Sequence, residues 1–115
     1  MLAQNLQDHC RAMREATQDM KWGEHLVFSL RTKMFAIFGV SEDPVTLSFK
    51  CDPETYHHLI HHPHFVPAPY LARMFWVKCT LDGQIPESEL KEHLSEAYRA
   101  ILPKLSKKAQ RELTS

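Results

Sequence analysis

Five of the eight histidines fall in one short stretch: His57, His58, His61, His62 and His64. On a helix, His57/His61 and His58/His62 are i,i+4 pairs, a spacing that can set two imidazoles on one metal ion. Leu59-Ile60 lie between the pairs, so no H-E-x-x-H motif forms, and no cysteine or carboxylate is placed as a third ligand. Histidines on a polar helix face are the plainer reading, and no metal site is expected. The three cysteines, Cys10, Cys51 and Cys79, are too few and too widely spaced for a disulfide framework and form no C-x-x-C pair. Each falls on an apolar face, where a thiol is structural and inert. His9 beside Cys10 makes no dyad, because neighbours on a helix diverge by about 100°. With no G-x-S-x-G, phosphate loop or dinucleotide fingerprint present, no catalytic residue, no cofactor and no enzyme activity are expected.

A second set of groups is distributed along strand-like runs. In His25 to Arg31, Leu26, Phe28 and Leu30 point one way, while His25, Ser29 and Arg31 point the other. Val45, Leu47, Phe49 and Cys51 alternate with Thr46, Ser48 and Lys50. From Arg73 to Leu81, Phe75, Val77, Cys79 and Leu81 share one face; Met74, Trp76, Lys78 and Thr80 share the other. The polar faces thus carry Arg31, Lys50, Trp76 and Lys78 among hydroxyls, with Lys33 and Arg73 near strand ends. Basic and hydroxyl groups around a tryptophan are the chemistry that holds phosphates and stacks a base. Arg31, Lys33, Lys50, Arg73, Trp76 and Lys78 are therefore the candidate nucleic-acid-binding residues. The same residues also describe a solvated sheet face with Trp76 as packing at its centre. The exposure of Trp76 separates the two readings.

The elements that position these groups are legible in outline. Leu2, Leu6, Cys10 and Met13 predict a helix from Leu2 to about Glu15, and Thr17 to Lys21 read as a polar connection. Thr32-Lys33 is the predicted turn before Met34 to Val40, an almost wholly apolar central strand in which Gly39 marks a bulge or a close backbone approach. Asp52-Pro53 opens a short helix ending near His62, with Asp52 at the N-cap. Phe65 to Tyr70 reads as an extended loop. The strongest helix is predicted from Pro86 to about Leu102, with Ser106 capping a last one through Leu113. Helix, three strands, helix, strand, helix predicts an α+β two-layer sandwich: an antiparallel sheet with helices on one face.

The 115 residues form one predicted domain, 1–115, with 43% hydrophobic and 24% charged residues. No run approaches the roughly 18 apolar residues of a membrane span, and no signal-peptide pattern opens the chain. Reduced thiols point to the cytoplasm. Lys+Arg and Asp+Glu both number 14, which argues against strong non-specific DNA binding but leaves room for a local basic face.

Trp22-Gly23, Lys33-Met34-Phe35-Ala36, Lys50 with Pro53-Glu54, Pro67-Ala68-Pro69-Tyr70-Leu71 before Trp76-Val77, Leu81-Asp82-Gly83 and Ala97-Tyr98 occur in the order of the MmcQ/YjbR family of small bacterial domains, which the chain resembles over nearly its whole length. Two departures are the Arg31-Thr32 turn, often glycine-rich in that family, and Ala97, where serine is common. The resemblance implies a fold similar to frataxin and CyaY and a DNA-binding role by a double-wing arrangement. It brings no catalytic residues. The frataxin likeness raises iron, but Asp8, Glu15 and Asp19 are interleaved with Arg11 and Arg14, a mixed solvated face. The expected function is DNA binding through the basic and aromatic sheet face by a monomer; the alternative is a protein-interaction or regulatory module that binds no nucleic acid.

Overall fold

The computed structural model describes residues 1–114; Ser115, the last residue of the expected domain, lies outside them. The elements are α1 (Leu2–Arg11), β1 (Ala16–Lys21), β2 (His25–Leu30), β3 (Lys33–Gly39), β4 (Thr46–Lys50), α2 (Pro53–Leu59), β5 (Val66–Pro67), a 3-10 turn (Ala72–Met74), β6 (Trp76–Thr80), α3 (Glu87–Ile101), a second 3-10 turn (Leu102–Lys104) and α4 (Lys107–Thr114). The strands form one six-stranded antiparallel sheet in the order β1-β2-β3-β4-β6-β5, packed against helices as the alternation predicts.

The core lies between sheet and helices. Leu26, Phe28, Phe38, Leu47, Phe49 and Val77 from the strands meet Leu6 and Cys10 of α1 and Leu90, Leu94, Ala97 and Ile101 of α3. Phe28 and Phe38 meet edge to face at 5.8 Å, a favourable quadrupole geometry. β3 is buried on both faces, as its apolar run predicts. The register skips Phe35: Phe28 pairs with Ala36 and Ser29 with Met34. This bulge keeps both Phe35 and Ala36 buried, with the Phe35 ring 5.8 Å from Tyr98 of α3. Gly39 is a close approach: a Cβ there would overlap Thr46 Oγ1 and crowd the Glu42 carboxylate.

Four local expectations are corrected. Residues 17–21 belong to a strand, β1, that pairs along its length with β2. It is an edge strand with no buried residue, so no alternation betrays it. The first helix stops at Arg11 because Glu15 turns left-handed (φ 59°) to bring Ala16 opposite Leu30. The segment 65–70 contains the two-residue strand β5, and β6 starts at Trp76 because Ala72–Met74 form a helical turn that ends in left-handed Phe75.

α2 begins as predicted. Asp52 Oδ1 accepts from the Thr55 backbone N–H at 2.8 Å and Oδ2 from the Thr55 hydroxyl at 3.1 Å. Asp52→Ala is expected to lower the unfolding free energy by about 1 kcal/mol, read as a shift in urea midpoint, whereas Asp52→Asn should retain most of it.

Candidate nucleic-acid interface

β4 and β6 pair Lys50 with Trp76, Ser48 with Lys78 and Thr46 with Thr80, all on the face away from the helices. The expected alignment is present, but the face is not open at the tryptophan. The chain from Ala68 to Phe75 folds over it. Ala68 N–H donates to the Trp76 carbonyl (3.0 Å) and Trp76 N–H to the Leu71 carbonyl (3.3 Å). Trp76 is 3% exposed and belongs to a second small core with Val27, Ile37 and Ala68, flanked by Met34 and Leu71. In this conformation no ring face is free to stack a base; Trp76 is the packing centre of the outer face.

Lys50 is buried with it, at 6% exposure. Its ammonium donates to the Met74 carbonyl at 2.9 Å, which ties the covering segment to β4. Desolvation and the neighbouring Lys104 ammonium hold the Lys50 pKa below the ordinary lysine range. Arg31 occupies the β2–β3 turn with left-handed backbone (φ 59°) and pairs with Glu15 at 2.9 Å and Glu112 at 3.0 Å. A glycine would take that φ without strain. Here the ion pairs tie the turn to α4 and to the chain entering β1. Lys78 lies further along β6, 3.8 Å from Glu42. Lys33 and Arg73 are exposed and make no ion pair among the described residues.

The antiparallel register sorts these groups by end rather than by face. The Leu30/Lys33 turn, the Lys50 end of β4 and the Trp76 start of β6 share one end of the sheet. Lys104 reaches the same end, because α3 runs there with Tyr98 against Phe35, and Lys107 follows at the start of α4. Lys33, Lys50, Arg73, Lys104 and Lys107 thus gather at one end. Most carboxylates nearby are engaged: Glu15 and Glu112 by Arg31, Asp52 as the α2 cap, Glu96 by Arg99. Asp52, whose cap bonds come from the neutral Thr55, and Glu54 make no ion pair among the described residues. The opposite end, at His25, Gly39, Thr46 and Thr80, is flanked by Glu24, Glu42, Asp43 and Asp82, against Lys21 and the Glu42-paired Lys78. The charge balance is therefore a sum over two unlike ends. Lys104 and Lys107 escaped the strand-based reading; their signal was the local basic run Lys104 to Lys108.

The other candidate chemistries are also placed. Cys10, Cys51 and Cys79 are 0%, 6% and 3% exposed, and burial pushes each thiol up to about 12. His9 Nε2 bonds Ser95 Oγ at 2.9 Å, away from the buried Cys10. In the histidine stretch, His64 N–H donates to His62 Nδ1. Among the described residues no three His, Cys, Asp or Glu side chains converge as metal ligands. No helix among them is long and apolar enough to cross a membrane.

The open antiparallel sheet backed by helices defines a small α+β domain of the kind the sequence resembles. The chain belongs to the YjbR family, whose model matches residues 11–100. Its structure is similar to that of the Deinococcus radiodurans protein DR2400, a DUF419 domain, with a TM-score of 0.86 and 31% identity over 96% of this chain and 86% of that one. A Pseudomonas syringae protein solved by structural genomics shares the fold, with a TM-score of 0.71 and 19% identity over 87% of this chain and 98% of that one. No curated protein matches the chain.

Proposed function

We propose that the chain is a non-enzymatic DNA-binding module that takes phosphates at the basic end of its sheet rather than on the sheet face. The observation that carries this reading is Lys50: a buried ammonium beside Lys104, with one carbonyl as acceptor and no carboxylate partner among the described residues. Two close cations, with Lys50 in ion-pair contact with no carboxylate, raise the local potential, and a phosphate oxygen relieves it. Exposed Lys33, Arg73 and Lys107 extend the same field. Three core thiols held protonated support a reading without a nucleophile.

Binding of labelled DNA, followed by anisotropy across a salt series, tests this. About four phosphate contacts predict a log–log salt slope near −3 on single strands and somewhat steeper on duplex. Lys33→Glu/Lys104→Glu should weaken binding at least ten-fold at low salt and flatten the slope, because both side chains are exposed and their reversal leaves the core intact. Unchanged affinity in that variant would remove the proposal. The alternative, a protein-interaction module, draws on the exposed apolar groups Val66, Tyr70 and Met74. It predicts no salt-sensitive DNA binding at all.

A further inference from the structure

Resting on the basic-end reading, we infer that the DNA recognised there is single-stranded, with the Tyr70 ring as the platform for one base. Tyr70 is fully exposed, at 101% of its reference area. It sits with φ 66°, in the left-handed region that costs a non-glycine residue about 1–2 kcal/mol. Its surroundings are fixed. Ala68 and Leu71 on either side pack on the Trp76 cluster, and Leu71 N–H closes a turn on the Ala68 carbonyl at 3.1 Å. Phe75, also left-handed (φ 65°), ends the segment, and Lys50 holds it at the Met74 carbonyl. A strained, anchored segment therefore presents a bare aromatic ring that contributes nothing to the core. Strain held in place by well-packed neighbours is characteristic of binding sites.

The charge around the ring specifies the occupant. Arg73 lies three residues on, and the segment is tied to the end of the sheet that carries Lys50 and Lys104. A polyanion with accessible π-faces suits both features. Stacked duplex hides its base faces, whereas a single strand offers one at every nucleotide. The sheet face gives no alternative platform, since Trp76 is covered. Trp22 is the other exposed tyrosine, tryptophan or phenylalanine among the described residues, at 65%, but its β1–β2 turn lies at the opposite end, beside Glu24.

The test compares labelled oligo-dT of about twelve nucleotides, within the usual site sizes, with a duplex of equal length at one low salt concentration. The single strand should bind at least ten-fold more tightly. Tyr70→Ala should weaken it roughly ten- to hundred-fold, Tyr70→Phe by no more than about two-fold, and Trp22→Ala not at all. Equal affinity for duplex, or an unchanged Tyr70→Ala, would overturn the inference. If Lys33→Glu/Lys104→Glu still weakens binding in that case, the basic-end reading stands and only the single-strand assignment falls. If the wild-type chain binds neither oligonucleotide, both fall.

Discussion

Trp76→Ala should destabilise the domain by about 3–5 kcal/mol, the usual cost of emptying a buried aromatic site. The ring is 3% exposed and shares its cluster with Val27 (0%), Ile37 (7%) and Ala68 (2%). These residues lie on the face away from the helices, so no helix can move in to fill the space. The covering segment loses its seat as well, and with it the Lys50–Met74 hydrogen bond. Against a net stability of about 5–15 kcal/mol for a small domain, this leaves a fraction of the original margin. The urea midpoint should fall, and cleavage by a protease should concentrate between residues 68 and 75. Trp76→Phe should recover most of the loss. In a Trp22→Phe background only Trp76 emits, and that emission should be blue-shifted and shielded from acrylamide. A Trp76 as quenchable as Trp22 would refute its burial and restore the sheet face as a stacking surface.

Stability should also collapse at alkaline pH, and the thiols set the direction. Burial raises Cys10, Cys51 and Cys79 from 9.0 to about 12; Asp52 adds to the effect at Cys51 and Asp82 at Cys79. Between those limits the unfolded chain loses the thiol protons and the folded chain keeps them. Stability is thus fully present below pH 9 and is lost as pH rises toward 12. Each thiol contributes a slope of about 1.4 kcal/mol per pH unit, so three give about 4. Tyr98 adds in the same sense, since burial and Glu15 raise its pKa. Lys50 opposes them: its lowered pKa makes stability rise with pH in a window ending at 10.5. One such group does not offset three thiols. Urea midpoints measured from pH 8 to 10.5 should fall ever more steeply above 9, and Cys79→Ala should start lower but fall with about two-thirds of the slope. A flat profile would mean that the thiols ionise in place, which their exposures of 0–6% oppose.

The layers were legible in local patterning. Leu47 and Phe49 alternate with Thr46, Ser48 and Lys50, the period-two pattern of an antiparallel strand that turns one face to the helices. Asp52-Pro53 announces α2, and the spacing of Leu90, Leu94, Ala97 and Ile101 announces α3, since caps and helical stripes are local in the chain. β1 left no such trace, because an edge strand without buried residues needs no periodicity. The site was half legible. Alternation correctly put Lys50 and Trp76 together on the face opposite the helices. That Ala68 to Phe75 covers that face emerges with the folded chain, because the contact rests on Trp76 meeting Ile37 and Val27 from strands about forty and fifty residues earlier. The charge pattern divides in the same way. Equal numbers of acids and bases can be counted in the chain, but the gathering of residues 33, 50, 73 and 104 follows from register, which brings them to one end of a sheet that local sequence cannot assemble.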